Sequence, residues 1–92
     1  MDITLKFTAQ IKDVVGKASD TVTVSNGTNL QELLTNLGMT YGDRFKTILF
    51  DEQGAYRHSN LIVIDQSQVN YDDDVTLADG MEITLMSPIS GG

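Results

Sequence analysis

The best-defined element of this chain is Thr28-Asn29-Leu30-Gln31-Glu32-Leu33-Leu34-Thr35-Asn36-Leu37-Gly38. Its four leucines fall on one face of a helix, at i, i+3, i+4 and i+7: Leu30, Leu33, Leu34 and Leu37. Thr28 and Gln31 have the spacing of a capping box, and Gly38 stands where a left-handed C-terminal cap is expected. The pattern predicts a helix of about ten residues whose leucine stripe packs across a sheet.

Strand patterns occur on both sides of this helix. Apolar and polar residues alternate over residues 3–7, around Val22 and Val24, and from Glu82 to Met86. Leu61-Ile62-Val63-Ile64 is a continuous apolar run, which is typical of a strand buried on both faces. Strands flanking one well-capped helix predict an α+β fold, with a mixed sheet of four to five strands and one main helix packed on one face.

The connecting segments predict further local structure. Ile11, Val14 and Val15 precede Gly16 and indicate a helical turn over the end of the core. Residues 45–49 have helical spacing, and residues 51–54 read as a turn.

The composition is that of one acidic globular domain. The chain has 92 residues, of which 40% are hydrophobic and 21% charged. A net charge of −7 with six scattered basic residues argues against direct binding of nucleic acid. There is no cysteine, which excludes thiolate metal ligands and cysteine nucleophiles. No signal-peptide or membrane-span pattern is present, so we expect a cytoplasmic protein that does not contact the membrane.

The remaining polar motifs predict no chemistry of their own. His58 is the only histidine and has no nucleophile or ligand pattern around it, so we expect it at the surface. Asp72-Asp73-Asp74 lacks the closing Glu of a calcium loop, and we interpret it as a solvated loop or turn cap. The sequence therefore predicts neither a catalytic group nor a metal site.

The chain ends on Ser87-Pro88-Ile89-Ser90-Gly91-Gly92. Pro88 lacks an N–H and fixes its own φ, so it tends to end a strand and begin a projecting segment. Gly91 and Gly92 lack a Cβ, so they could pass through a narrow tunnel in a partner protein. No side chain of theirs would shield the terminal α-carboxylate from attack. We divide the chain into a domain, residues 1–86, and a tail, residues 87–92; a frayed end without function is the alternative.

The chain resembles the MoaD/ThiS sulfur carriers, which are ubiquitin-like β-grasp proteins. The likeness is carried by Leu77-x-Asp79-Gly80-x-Glu82-Ile83-x-Leu85 and by Pro88-Ile89-Ser90-Gly91-Gly92. The chain departs from the family pattern at three places. Met81 stands where the family has a second acid, Ser87 stands where a Pro is common, and Asp65-Gln66 stands in place of Asn-Gly. The resemblance implies a β-grasp in which the first and last strands lie side by side in mid-sheet.

The resemblance also implies a function for the tail. A separate E1-like enzyme would use ATP to adenylate the Gly92 carboxylate, and a sulfur donor would convert it to a thiocarboxylate. The chain would bind no cofactor and act as a co-substrate, not an enzyme. Ser90 and Gly91 would thread the partner's site, while Met86, Pro88 and Ile89 would dock on the activating enzyme. The competing interpretation of Met86 is packing against the leucine helix.

Three functions remain open at this point. The first is a sulfur carrier for cofactor or metabolite biosynthesis, molybdopterin-type or related, with a synthase large subunit as a further partner. The second is a ubiquitin-like modifier joined through Gly92 to target lysines. The third is an interaction module in which Gly-Gly is inert. Molybdopterin, thiazole, cysteine and tRNA pathways are all compatible with the first.

Overall fold

The chain folds as one mixed sheet with three helices, and the computed structural model describes residues 1–88. In chain order the elements are β1 (Asp2–Thr8), α1 (Ala9–Val15), β2 (Ser19–Thr23), α2 (Leu30–Tyr41), α3 (Asp43–Leu49), β3 (Leu61–Ile64), β4 (Ser67–Val69) and β5 (Glu82–Met86). The strand order across the sheet is β2-β1-β5-β3-β4. The predicted α+β class and the ubiquitin-like β-grasp arrangement are confirmed.

The first and last strands form the centre of the sheet. β1 and β5 pair in parallel, from Thr4 opposite Glu82 to Thr8 opposite Met86. β2 extends the sheet beyond β1, and β3 lies antiparallel to β5 on its other side. Because β5 is hydrogen-bonded along both edges, neighbours on two sides fix the point at which it ends.

One face of the sheet holds the core. The leucine stripe of α2 is buried there as predicted, and the alternating inward residues of β1, β3 and β5 are buried with it: Ile3, Leu5, Phe7, Ile62, Ile64, Ile83 and Leu85. The helical turn over residues 9–15 and the helix over residues 43–49 are also confirmed. Within residues 1–88, the helices therefore cover one face of the sheet, and no layer covers the other.

The ends of α2 differ from the sequence prediction. Asn29, not Thr28, is the N-cap residue, and its side-chain oxygen accepts a 2.8 Å hydrogen bond from the backbone N–H of Glu32. Gln31 does not complete a capping box because its amide donates to the backbone carbonyls of Tyr71 and Asp73. The predicted capping box is thus wrong by one residue, and the helix end is tied to the loop before β5 instead.

Gly38 lies inside α2, so the prediction that it caps the helix is wrong. The helix continues to Tyr41, and Gly42 ends it with a φ of 96°. A Cβ on Gly38 would lie 2.8 Å from Cγ of Lys46 on α3. The glycine therefore serves close packing between two helices, a role that only the tertiary arrangement defines.

The predicted turn at residues 51–54 is present, and it is flanked by an aromatic cluster of Phe50, Tyr56 and Tyr71. Asp51 Oδ1 accepts hydrogen bonds from the backbone N–H groups of Gln53 and Ala55. Tyr56 stacks on Tyr71 with ring centroids 4.4 Å apart, and its hydroxyl donates to the carbonyl of Asn60 at 2.9 Å. Burial raises the pKa of Tyr56 to about 12, and the nearby Tyr71 adds to the shift.

The protein should lose stability in alkali through Tyr56. The folded state holds this proton more tightly than the unfolded chain, whose tyrosine pKa is near 10.0. The stabilisation is complete below pH 10 and disappears as the pH rises towards 12, at most about 2–3 kcal/mol. Tyr56→Phe should remove this loss, at a cost of about 1 kcal/mol at pH 7 for the missing hydrogen bond. Urea unfolding from pH 7 to 12 measures both; parallel losses in the two proteins would contradict the assignment.

Candidate functional site

The turn before β5 fixes the start of the last strand. Asp79 Oδ1 accepts a 2.7 Å hydrogen bond from the backbone N–H of Asp2, and the N–H of Gly80 donates to the carbonyl of Asp2 at 2.8 Å. Gly80 has a φ of 82°, which favours glycine. Met81 is half-buried and packs against the core. The Asp-Gly turn thus aligns β5 with β1.

The face of the sheet opposite the helices carries an apolar strip next to the end of β5. Met86 is 37% exposed, and Leu61 lies directly opposite it on β3 with 40% of its surface exposed. Val63, half-buried on the same face, pairs with Thr84 one step further along. We call Leu61, Val63 and Met86 the outer strip. Cross-strand neighbours of this kind form one contiguous surface.

The structure excludes the competing interpretation of Met86 and corrects the expectation for the strand Leu61–Ile64. Met86 lies on the opposite face from Ile83 and Leu85, so it does not pack against the leucine helix. β3 is not buried on both faces, because the helices cover only its inner side. Leu61 and Val63 lie on the outer side, where Leu61 is exposed and Val63 half-buried. Leu61 is the residue that sequence reasoning missed, since a short apolar run does not reveal which of its faces is covered.

Ser87, directly after β5, is held in the fold. It is only 7% exposed, and its Oγ accepts a hydrogen bond from the N–H of Ile11 at 3.3 Å and donates to the carbonyl of Thr8 at 3.4 Å. Pro88 is exposed. The boundary between domain and tail at residue 86 remains a prediction, and Ser87 on its tail side has these contacts with β1 and α1.

Four predicted site residues lie outside the described residues: Ile89, Ser90, Gly91 and Gly92. Their assigned roles in threading, docking and activation therefore remain predictions. Met86 and Pro88, which are both exposed, lie shortly before these four residues in the chain.

The other titratable motifs lie in surface loops. His58 is exposed, with Nε2 3.9 Å from Oδ2 of Asp72. Asp73 acts as the predicted turn cap, since its Oδ2 accepts a 2.9 Å hydrogen bond from the N–H of Asn70. Within residues 1–88 no three His, Cys, Asp or Glu side chains are grouped closely enough to hold a metal ion. Nor does any helix in this range have the length and apolarity to cross a membrane.

A groove of about 460 Å³ lies on the helical side of the molecule, between α2, α3 and the aromatic cluster. Gly38, Phe50 and Tyr71 contribute to its lining, together with two basic and two acidic side chains: Lys46, Arg57, Asp51 and Glu52. None of its lining residues belongs to β5 or to the outer strip. The mixed charges select no single class of ligand.

Solved structures of other proteins share this fold over the whole chain or nearly all of it. SAMP1 from Haloferax volcanii has a TM-score of 0.84 at 20% identity, with 100% of both chains covered. Urm1 from Trypanosoma brucei has a TM-score of 0.78 at 23% identity, covering 99% of this chain and 96% of that one. Molybdopterin-converting factor from Helicobacter pylori, a complex of subunits 1 and 2, gives 0.58 at 22% identity, with 100% of both chains covered.

Sequence comparison gives the family. No curated protein matches the sequence. A family model does match, and it spans residues 5–92, which include the second half of β1, every later element and the C-terminal Gly-Gly. This chain, with its ubiquitin-like β-grasp fold, belongs to the ThiS family.

Proposed function

We propose that this chain is a sulfur carrier whose Gly92 carboxylate is activated by a separate E1-like adenylating enzyme and converted to a thiocarboxylate. The observation that carries the proposal is the extent of the family match, which runs through the fold and includes Gly91 and Gly92. The central position of β5 supports it, because a strand fixed on both edges delivers the tail from a rigid base.

The chemistry needs activation before sulfur can enter. A carboxylate is a poor electrophile, so the enzyme joins the Gly92 carboxylate to the α-phosphate of ATP and releases pyrophosphate. A sulfide nucleophile then forms a C–S bond at the carbonyl as the C–O bond to AMP breaks, which leaves a thiocarboxylate and free AMP. If the donor is a persulfide, a thiol must reduce the resulting acyl disulfide. A partner site closed around the tail would keep water from the acyl adenylate.

The chain contributes a substrate and a docking surface to this scheme. The outer strip offers apolar area beside the base of the tail, where a partner that holds the tail would also meet the sheet. An acidic domain of net charge −7 is matched by a basic docking face on the partner. The partners proposed are therefore the adenylating enzyme and a sulfur donor.

A synthase large subunit is proposed as a third partner. The solved molybdopterin-converting factor of Helicobacter pylori is a complex of subunits 1 and 2, and this chain superposes over its whole length on one chain of that complex. In such an assembly the thiocarboxylate would be delivered into the second subunit's active site. The acceptor of the sulfur is then set by that subunit and not by this chain.

The activation step is tested by exchange of labelled pyrophosphate into ATP. The chain with its native C-terminus is mixed with the E1-like enzyme of its host and ATP, without a sulfur donor. The proposal predicts exchange that depends on the chain. If an enzyme shown to be active on another carrier gives no exchange with this chain, the proposal is wrong. Lysine-linked adducts in a cell extract would instead point to the modifier function.

Met86→Asp should weaken docking of the activating enzyme. The substitution places a charge on the outer strip, and we expect KM for this chain to rise about 10- to 100-fold. Met39→Asp is the matched control, because Met39 on α2 is 67% exposed and belongs to a different surface. Pyrophosphate exchange at varied chain concentration gives both values. Equal KM values for the two variants would show that the outer strip is not the docking surface.

A further inference from the structure

α1 lacks an N-terminal cap of its own. Thr8 is the residue before the helix, and its side chain makes no capping hydrogen bond. Ile11 is the third residue of α1, so its N–H has no partner within the helix. Ser87 supplies that partner from the other end of the chain, 76 residues away, through its Oγ. The cap of α1 is therefore provided by the residue that follows β5.

The Ser87 hydroxyl uses both its accepting and its donating capacity at this junction. It accepts from Ile11 and donates to the carbonyl of Thr8, so it bridges the last residue of β1 and the first turn of α1. The backbone there is unusual, because Ala9 between them has a φ of 51°. A non-glycine residue in this conformation persists where its surroundings hold it, and Ser87 is one of the groups that do.

These contacts determine how the chain leaves the sheet. Met86 is the last residue of β5, paired with Thr8 on one side and Leu61 on the other. Ser87 adds a side-chain anchor one residue later, after the ladder has ended. The next residue, Pro88, is exposed. The position and direction of the chain at Pro88 are thus fixed by one buried hydroxyl in addition to the ladder.

We propose that Ser87 is a positioning residue for activation of Gly92. Its hydroxyl clamps the base of the tail to the β1–α1 junction, so that the partner need not restrict the backbone at that point on binding. The inference rests on the proposed function, since it concerns the same reaction at Gly92. Ser87 touches no reacting atom and acts only through the residues that follow it.

Loss of the hydroxyl should appear in KM and not in kcat. Without the anchor, the backbone at residue 87 has to be fixed when the partner binds. Ordering one residue corresponds to a factor of roughly 5- to 30-fold in an equilibrium. This free energy of ordering is required when the chain binds the enzyme, and it is the same in the bound ground state and in the transition state. The loss of the hydroxyl therefore raises KM and leaves kcat unchanged.

The experiment compares three variants in pyrophosphate exchange with saturating ATP and varied chain concentration. Ser87→Ala removes the anchor, and Ser87→Thr retains a hydroxyl as the conservative rescue. Asn29→Ala is the matched control, since it removes the cap of α2 and leaves the Ser87 hydrogen bonds in place. Hydrogen exchange at the Ile11 N–H, measured in the same proteins, reports whether the cap of α1 is lost.

The expected result is a 5- to 30-fold higher KM for Ser87→Ala with kcat unchanged, together with faster exchange at Ile11. Ser87→Thr and Asn29→Ala should stay close to the wild type in KM. The inference is overturned, with the proposed function intact, if Ser87→Ala has the wild-type KM or if Asn29→Ala raises KM equally. Absence of exchange for the wild-type chain with an active enzyme would overturn the function and the inference together.

Discussion

Removal of Gly92 alone is expected to abolish activation of the chain while the domain stays folded. The truncated chain still ends in a glycine carboxylate, but that carboxylate is one residue short, about 3.5 Å of extended backbone. Attack on ATP requires the reacting atoms to lie about 3–3.5 Å apart, and a misplacement of about 1 Å already costs on the order of 100-fold. We therefore expect pyrophosphate exchange to fall at least 100-fold.

The control for this truncation keeps the length of the tail. Met39→Ala changes an exposed side chain of α2 without moving the terminal carboxylate, so its exchange rate should stay within a few-fold of the wild type. Urea unfolding should give the same midpoint for all three proteins. A truncated chain that retains more than a tenth of the wild-type exchange would show that the reaction does not require the Gly92 carboxylate, and the proposed function would fail.

Leu34→Ala is expected to lower the free energy of unfolding by about 2–5 kcal/mol. Leu34 is 0% exposed in the middle of the α2 stripe, packed in the cluster that includes the inward residues of β1 and β5. The substitution removes buried apolar surface and leaves a cavity that the close-packed sheet cannot fill. Because domains of this size have total stabilities of about 5–15 kcal/mol, the effect is a large part of the whole.

Met39→Ala provides the comparison on the same helix. Met39 is 67% exposed, and surface substitutions of this kind change stability by less than about 0.5 kcal/mol. Both variants are measured by urea unfolding at pH 7, with the midpoint shift converted through a common m value. A Leu34→Ala shift no larger than that of Met39→Ala would contradict the burial of the leucine stripe.

The fold was predictable from the sequence where local pattern and tertiary packing agree. The spacing of Leu30, Leu33, Leu34 and Leu37 defines a helix face whatever that face contacts, and the structure buries all four. The alternation in Glu82 to Met86 likewise predicts which side chains of β5 point inward. Such periodic signals depend only on neighbouring residues.

Predictions were wrong where the outcome depends on distant partners. The Gln31 amide binds backbone of the loop before β5 and not its own helix cap, which no local pattern reveals. Gly38 was expected at a helix end but lies inside α2, because α3 approaches at that point. Leu61 is exposed because no helix covers the outer face of β3, a property of the whole sheet.

In the candidate site, too, local features were predictable from the sequence and long-range contacts were not. The roles of Gly91 and Gly92 were expected from the chemistry of a bare C-terminus and from the family resemblance, and they remain proposals for direct test. The exposed position of Met86 followed from strand alternation. The burial of Ser87 did not, because its partners Ile11 and Thr8 lie more than 70 residues earlier in the chain.

The measurement that tests the central claim most directly is the intact mass of this chain after incubation with ATP, the E1-like enzyme and a sulfur donor. A sulfur carrier should show a mass increase equal to the replacement of one oxygen by sulfur, and this increase should be absent when ATP is omitted and when Gly92 is deleted. An unchanged mass, with the enzyme active on another carrier in the same mixture, would contradict the assignment of this chain as a sulfur carrier.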